Sequence, residues 1–317
     1  MTQNHETSEA QCSVRTRLFR PNCETLNRVH WMQRHVAASA VPPLSKRLAL
    51  INDVTGFGRC SVTVELPIIS ALKIQVCPLP TALLSVHTGF QNYFMDDFTD
   101  RMEIYTDSWQ KNNLTFDAIA TGFLGSAAQI EIVRHVIKNF PAVVIIDPVM
   151  GDHGKIYKSY TREMCRRMRE LLEFADLVTP NLTEACQLLG VPYPEGGVIS
   201  DSELATMAAN IAVKTRGGRV VITGVTLDLD DGSNIANFIF DKGEINFVTS
   251  KRLGGDRSGT GDVFFAVAAA SWLNGENLID ATKKAASFVA KCITHAEKLN
   301  LPWNWGLPFE EFLTELK

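Results

Sequence analysis

Four polar motifs stand where a short apolar run gives out, and each holds residue types that can handle a phosphate or a proton. The richest is Gly259-Thr260-Gly261-Asp262, ahead of the apolar stretch Val263 to Ala270. Two glycines at a helix start let the backbone come close to a ligand. The free N–H groups and the helix dipole there favour an anion. Asp262 in the first turn suits either a cap or a proton acceptor, and the tetrapeptide alone does not separate the two. The preceding run Gly254-Gly255-Asp256-Arg257-Ser258 favours a phosphate clamp, because it joins flexible backbone to a fixed positive charge.

The second motif is Asp147-Pro148-Val149-Met150-Gly151-Asp152, after Val143-Val144-Ile145-Ile146. Its carboxylates could position hydrated Mg²⁺, a hard cation that prefers oxygen ligands. Asp, Pro and Gly also make ordinary turns. The third is Thr179-Pro180-Asn181-Leu182-Thr183-Glu184, where Asn181 and Glu184 are spaced as a capping box. That geometry would also aim both side chains at the strand ends. The fourth is Thr223-Gly224, a hydroxyl after Val220-Val221-Ile222.

Nearer the N-terminus, Asn52-Asp53-Val54-Thr55-Gly56-Phe57-Gly58-Arg59 is Gly-rich. It is neither Gly-x-Gly-x-x-Gly nor a Walker A loop, so a dinucleotide site is disfavoured. His87-Thr88-Gly89-Phe90 follows another apolar run; a lone His is usually structural, and His87 is assigned no catalytic role. No nucleophile elbow and no zinc-type Cys/His spacing appears.

Short buried strands alternating with amphipathic helices must position these motifs. Apolar runs predict strands at 48–51, 74–79, 117–120, 143–146, 177–178 and 220–222, then a hairpin of strands at 234–240 and 244–249 around Asp241-Lys242-Gly243. Helices are predicted up to about residue 72, over 98–111, 127–138, from about 181, and over 202–214, 261–273 and 278–299. This order predicts an α/β fold, a mostly parallel central sheet with helices on both faces. Ligands of such sheets bind at the carboxyl ends of the strands, where the four motifs lie.

Bulk properties exclude some classes. The 317 residues carry a net charge of −4, a poor basis for nucleic-acid binding. No apolar stretch has the length of a membrane span. Seven scattered cysteines without a Cys-x-x-Cys pair suit a reducing, cytoplasmic setting. Residues 1–45 hold several arginines, end near Pro42-Pro43 and show no apolar period, so a disordered extension is expected there, with the folded domain over 46–317.

In this order the motifs resemble the ribokinase-like superfamily, and within it the pyridoxal/pyridoxamine kinase family. The resemblance runs from about Lys46 to the C-terminus. It implies a three-layer α/β sandwich and ATP-dependent phosphorylation of the 5′-hydroxymethyl group of pyridoxal, pyridoxamine or pyridoxine, in vitamin B6 salvage. Asp262 would be the general base, with the N–H groups of Gly259, Thr260 and Gly261 as the anion hole. Asp147 and Glu184 would hold Mg²⁺, directly or through water. Asp152, Thr179, Asn181 and Thr223 would line the ATP phosphates, and Arg257 would stabilise their charge. Thr88 and Phe123 would contact the pyridine, with Asn52 or Asp53 at its polar edge. A homodimer is implied, with the hairpin near Asp241 as one candidate edge; the need for a monovalent cation is left open. Asn52-Asp53 departs from better-known pyridoxal kinases, which puts the substrate in question. A hydroxymethylpyrimidine kinase is therefore the alternative enzyme, and a non-catalytic vitamer sensor the alternative of another class.

Overall fold

The computed structural model describes residues 13–18, 45–228 and 232–316. The chain opens with β1 (Ser13–Leu18), β2 (Lys46–Thr55), α1 (Val62–Ala71), β3 (Ile74–Leu84), β4 (Met95–Asp97) and α2 (Thr99–Lys111). It continues through β5 (Ala118–Thr121), α3 (Ala127–Asn139), β6 (Val143–Ile146), the ribbon β7 (Gly151–Asp152) and β8 (Lys155–Ile156), and α4 (Arg162–Met168). Then come β9 (Leu177–Val178), α5 (Leu182–Leu189), β10 (Val198–Ile199), α6 (Asp201–Ala212) and β11 (Arg219–Leu227). β12 (Asn234–Asp241), β13 (Glu244–Lys251), α7 (Thr260–Leu273) and α8 (Leu278–Lys298) close it.

Among the described residues one eleven-stranded sheet runs β1-β13-β12-β11-β9-β6-β5-β2-β3-β4, with β10 beside β11. The run from β11 to β3 is parallel; β12, β13 and β1 at one end and β4 at the other pair antiparallel. The parallel strands are apolar on both faces because helices cover both. In β2, Ala49 and Ile51 enter one core while Leu48 and Leu50 enter the other. In β6, Val144 and Ile146 face the first core and Ile145 the second. The first core packs under α2 to α6 and the second under α1, α7 and α8, which gives the expected three layers.

Local chemistry sets the helix starts. Ser126 caps α3 by accepting the N–H of Gln129, and Ile130, Val133, Val136 and Ile137 are its buried stripe. Asn181 and Glu184 form the reciprocal capping box of α5. Helix α7 is apolar all round after Asp262 and is buried from Val263 to Ser271, as such helices must be. Truncating its buried Phe265 to Ala would cost about 3–5 kcal/mol.

Residues 13–18, in the stretch expected to be disordered, form β1. It pairs antiparallel with β13, Ser13 opposite Thr249 and Leu18 opposite Glu244. An edge strand is held by backbone hydrogen bonds and needs no apolar period, so the pattern did not reveal it. β1 occupies the outer edge of the β12–β13 hairpin. The remainder of residues 1–45 falls outside the described residues. No helix among the described residues is long and apolar enough to cross a membrane.

Candidate active site

The parallel register brings the motifs into one row. Gly122 N–H bonds the Ile51 carbonyl at 2.8 Å, Asp147 N–H the Thr121 carbonyl at 3.0 Å, and Thr179 N–H the Ile146 carbonyl at 3.0 Å. Asn52, in the last half of β2, therefore stands level with Gly122, Asp147 and Thr179, which directly follow β5, β6 and β9. One strand further, Thr223 N–H bonds the Pro180 carbonyl at 2.9 Å, and Asn181 bridges to Thr223. The Asn181 amide donates to the Gly151 carbonyl at 2.8 Å, which ties the exposed Asp152 turn to the row.

The start of α7 faces this row. Gly259 caps it in the left-handed region, φ 73°, and a methyl there would overlap the Arg59 carbonyl oxygen. Only glycine fits. The first-turn N–H groups have no acceptor within the helix; the first helical bond runs from Val263 N–H to the Gly259 carbonyl. A methyl at Gly261, by contrast, would meet nothing within 4 Å. The Thr260 hydroxyl donates to the Arg257 carbonyl at 2.8 Å.

The acids form one electrostatic group. Desolvation pushes Asp262 up to about 6 against the opposing N–H of Ser61, and the charge of Asp53 adds to the rise. Burial, then Asp262, push Asp147 up to about 8, while the Thr179 hydroxyl, 3.1 Å from it, pulls the other way. Burial also raises Asp53, which accepts the Thr55 hydroxyl at 2.7 Å. Glu184 is raised by burial and by Asp147, although its oxygens accept the N–H groups of Asn181 and Met150 at 2.8 and 3.1 Å. Clustered buried acids that raise one another suit a cation at the row. Among the described residues, however, no three His, Cys, Asp or Glu side chains are placed to hold a metal ion. That donor set fits Mg²⁺ carried mainly by water and phosphate oxygens.

Several expected residues are spent on other contacts. Arg257 donates to Glu297 at 2.6 Å and to the Leu301 carbonyl at 2.9 Å, so it fixes the loop before α7. Asn52 is 1% exposed, and its oxygen accepts the N–H groups of Asp53 and Phe123 at 2.9 and 2.8 Å. Thr88 is exposed, and Phe123 is half-buried edge-on to Tyr160. The spacing did not flag Glu65, a fully buried acid on α1 that accepts the Asn52 amide at 2.9 Å. A lone charge within Val62-Thr63-Val64-Glu65-Leu66-Pro67 was the available signal.

A clamp from the C-terminal region was also missed. The 3-10 turn Trp303–Trp305 touches three loops of the site. The Trp303 carbonyl accepts the Ser258 N–H at 3.2 Å, the Trp305 carbonyl the Arg59 guanidinium at 3.1 Å, and the Asn304 carbonyl lies 2.8 Å from His87 Nε2. His87 Nδ1 accepts the Gly89 N–H at 3.1 Å, so the neutral ring carries its proton on Nε2. Phe57 meets Phe90 and Trp305 edge-on at 5.8 and 5.4 Å between ring centres.

Residues 107–304 match the sequence profile of the family described as phosphomethylpyrimidine kinase. The chain belongs to that family. Its fold is that of the ribokinase-like superfamily, as the solved relatives show. A Bacteroides thetaiotaomicron protein, provisionally assigned as a phosphomethylpyrimidine kinase and crystallised with pyridoxal, is 36% identical with a TM-score of 0.81, covering 86% of this chain and 96% of that one. The pyridoxal kinase of Lactobacillus plantarum is 25% identical, TM-score 0.79, over 86% and 96%. A Staphylococcus aureus hydroxymethylpyrimidine/phosphomethylpyrimidine kinase is 29% identical over 57% of this chain and 64% of its own length. The chain spans less than two thirds of the first curated relatives it matches.

Proposed function

We propose that the chain transfers the γ-phosphoryl group of ATP to the hydroxymethyl group of a flat nitrogen heterocycle, and that the B6 vitamers pyridoxal, pyridoxamine and pyridoxine are its substrates. The observation that carries the reading is the placement of Asp262 directly behind the first-turn N–H groups of Gly259, Thr260 and Gly261, in electrostatic reach of the strand-end acids. Phosphoryl transfer needs positioning and charge stabilisation above all. The N–H groups would hold the equatorial oxygens of the transferring group. Asp262 would take the hydroxymethyl proton as the new O–P bond forms and the bond to ADP breaks. Asp152, Thr179, Asn181 and Thr223 would line the phosphates.

Asp147 and Glu184 would hold Mg²⁺ through water, and that ion would neutralise charge on the phosphate oxygens. Thr88 and Phe123 would flank the ring, and Asp53 would stand at its polar edge. Family membership supports the transfer, and the 36% identical relative crystallised with pyridoxal supports the pyridine ring. The family profile and the Staphylococcus relative favour a second reading, phosphorylation of hydroxymethylpyrimidine.

ADP release with Mg-ATP across pyridoxal, pyridoxamine, pyridoxine and hydroxymethylpyrimidine decides between these. Highest kcat/KM on a vitamer is expected. Preference for the pyrimidine would move the enzyme to the second reading. No product from any of the four would leave a vitamer-binding sensor in its place.

A further inference from the structure

Glu65 lies in the middle of the apolar helix α1 and is 0% exposed. One oxygen, Oε2, accepts the side-chain amide of Asn52 at 2.9 Å; the other, Oε1, has no partner among the described residues. Asn52 then uses its own oxygen on two backbone N–H groups, those of Asp53 and Phe123. The Phe123 bond crosses from β2 to the loop after β5. It is possible only because Gly122 lacks a side chain: a methyl there would overlap the Asn52 amide. The chain of contacts thus runs from a buried acid, through one amide, to the backbone of a residue beside the proposed ring site.

We propose that Glu65 is a positioning residue for the heterocyclic substrate, holding Asn52 so that Asn52 holds the Phe123 backbone at the wall of the ring site. The inference rests on the kinase reading above. A buried side chain amide left without its acceptor would seek another, and the shared oxygen would leave one of its two N–H groups. The surroundings of Glu65 favour the neutral acid for this role. Burial, and next the charge of Asp262, raise it well above the usual carboxylate range, with Asp147 and Asp53 adding to the rise. With Oε2 accepting from Asn52, the acid proton belongs on Oε1. Glutamine reproduces this arrangement, an oxygen toward Asn52 and an N–H donor in place of O–H.

The test is steady-state kinetics of the full chain and its Glu65→Gln, Glu65→Leu and Glu65→Asp variants with Mg-ATP and pyridoxal or hydroxymethylpyrimidine, with Tm measured alongside. Glu65→Gln is expected within about threefold of the parent in every constant. Glu65→Leu is expected to raise the heterocycle KM about tenfold while the ATP KM stays within about twofold. Glu65→Asp, too short to reach Asn52, should follow Glu65→Leu and serves if the leucine variant does not fold. Amide exchange at Phe123 should quicken in the Leu and Asp variants and not in Gln. Parental heterocycle KM in Leu or Asp overturns the proposal, as does a Gln variant as impaired as Leu, or a parallel rise in both KM values. A parent that turns over neither heterocycle would instead sink the kinase reading, and this inference with it.

Discussion

The Ser61 backbone N–H opposes the rise of the Asp262 carboxyl, so the starts of α1 and α7 act on one acid. Ser61, the residue before α1, has a positive φ of 56°. Two helix N-termini favour the carboxylate. Desolvation outweighs them and leaves Asp262 at about 6. A base with that value is ionised at neutral pH yet stronger than a free aspartate.

Asp262→Asn should lower kcat about 10²–10⁴-fold with little change in KM. In the parent, activity should rise with pH through about 6 and level above it, because the ionised form is the base. Turnover of the Asn variant within about tenfold of the parent would show that another group takes the proton.

Asp147 carries a stability cost that reverses with pH. Its folded value of about 8 lies above the ordinary 3.8, so the fold prefers the acid form. The stability gained from protonation is complete below about pH 4 and is lost as pH rises through about 8. Asp147→Asn should therefore melt with the parent near pH 4 and several degrees higher near pH 8. Mg²⁺ with nucleotide should raise the parent Tm and leave that of the variant nearly unchanged. Thermal melts across that range check both statements.

The two glycines of the anion loop should behave differently. Gly259→Ala forces a left-handed alanine against the Arg59 carbonyl and should destabilise by about 1–3 kcal/mol or more. Gly261→Ala meets no protein atom and should keep the parental Tm or raise it. Its kcat/KM should still fall at least about tenfold, since the added methyl would occupy the approach of the phosphoryl group. Unchanged kinetics for Gly261→Ala would remove that residue from the anion hole.

His87 ties the turn bearing Thr88 to the Asn304 carbonyl. His87→Phe keeps a ring against Phe90 and Trp303 and loses both hydrogen bonds. The heterocycle KM should rise about three- to tenfold, with the ATP KM unchanged. Equal rises in both would mean that the turn supports the whole cleft.

Much of the layout was legible because strand-end motifs follow buried runs. Val143 to Ile146 announced a strand covered on both faces, and Asp147 had to lie at its end. Asn181 and Glu184 announced a helix start through their spacing. Short pieces such as β4, β7, β8 and β10 were not legible, being too brief to show a period. The family resemblance put Asn52 or Asp53 at the polar edge of the substrate; the hydrogen bonds of Asn52 to Glu65, Asp53 and Phe123 could not be seen without the fold. The Trp303–Trp305 clamp joins residues distant in sequence, and no local pattern records such a contact.

β1 gives the order in which the molecule can be finished. Its partner is β13, so a segment made early must wait for one made late: Leu18 faces Glu244. At roughly 5–20 residues per second on the ribosome, that wait is about ten seconds or more. The same long separation makes the pairing a slow event in refolding. A chain that has closed this edge has already laid down every other described strand of its sheet, while α7 and α8, with Asp262, are still to be packed on it.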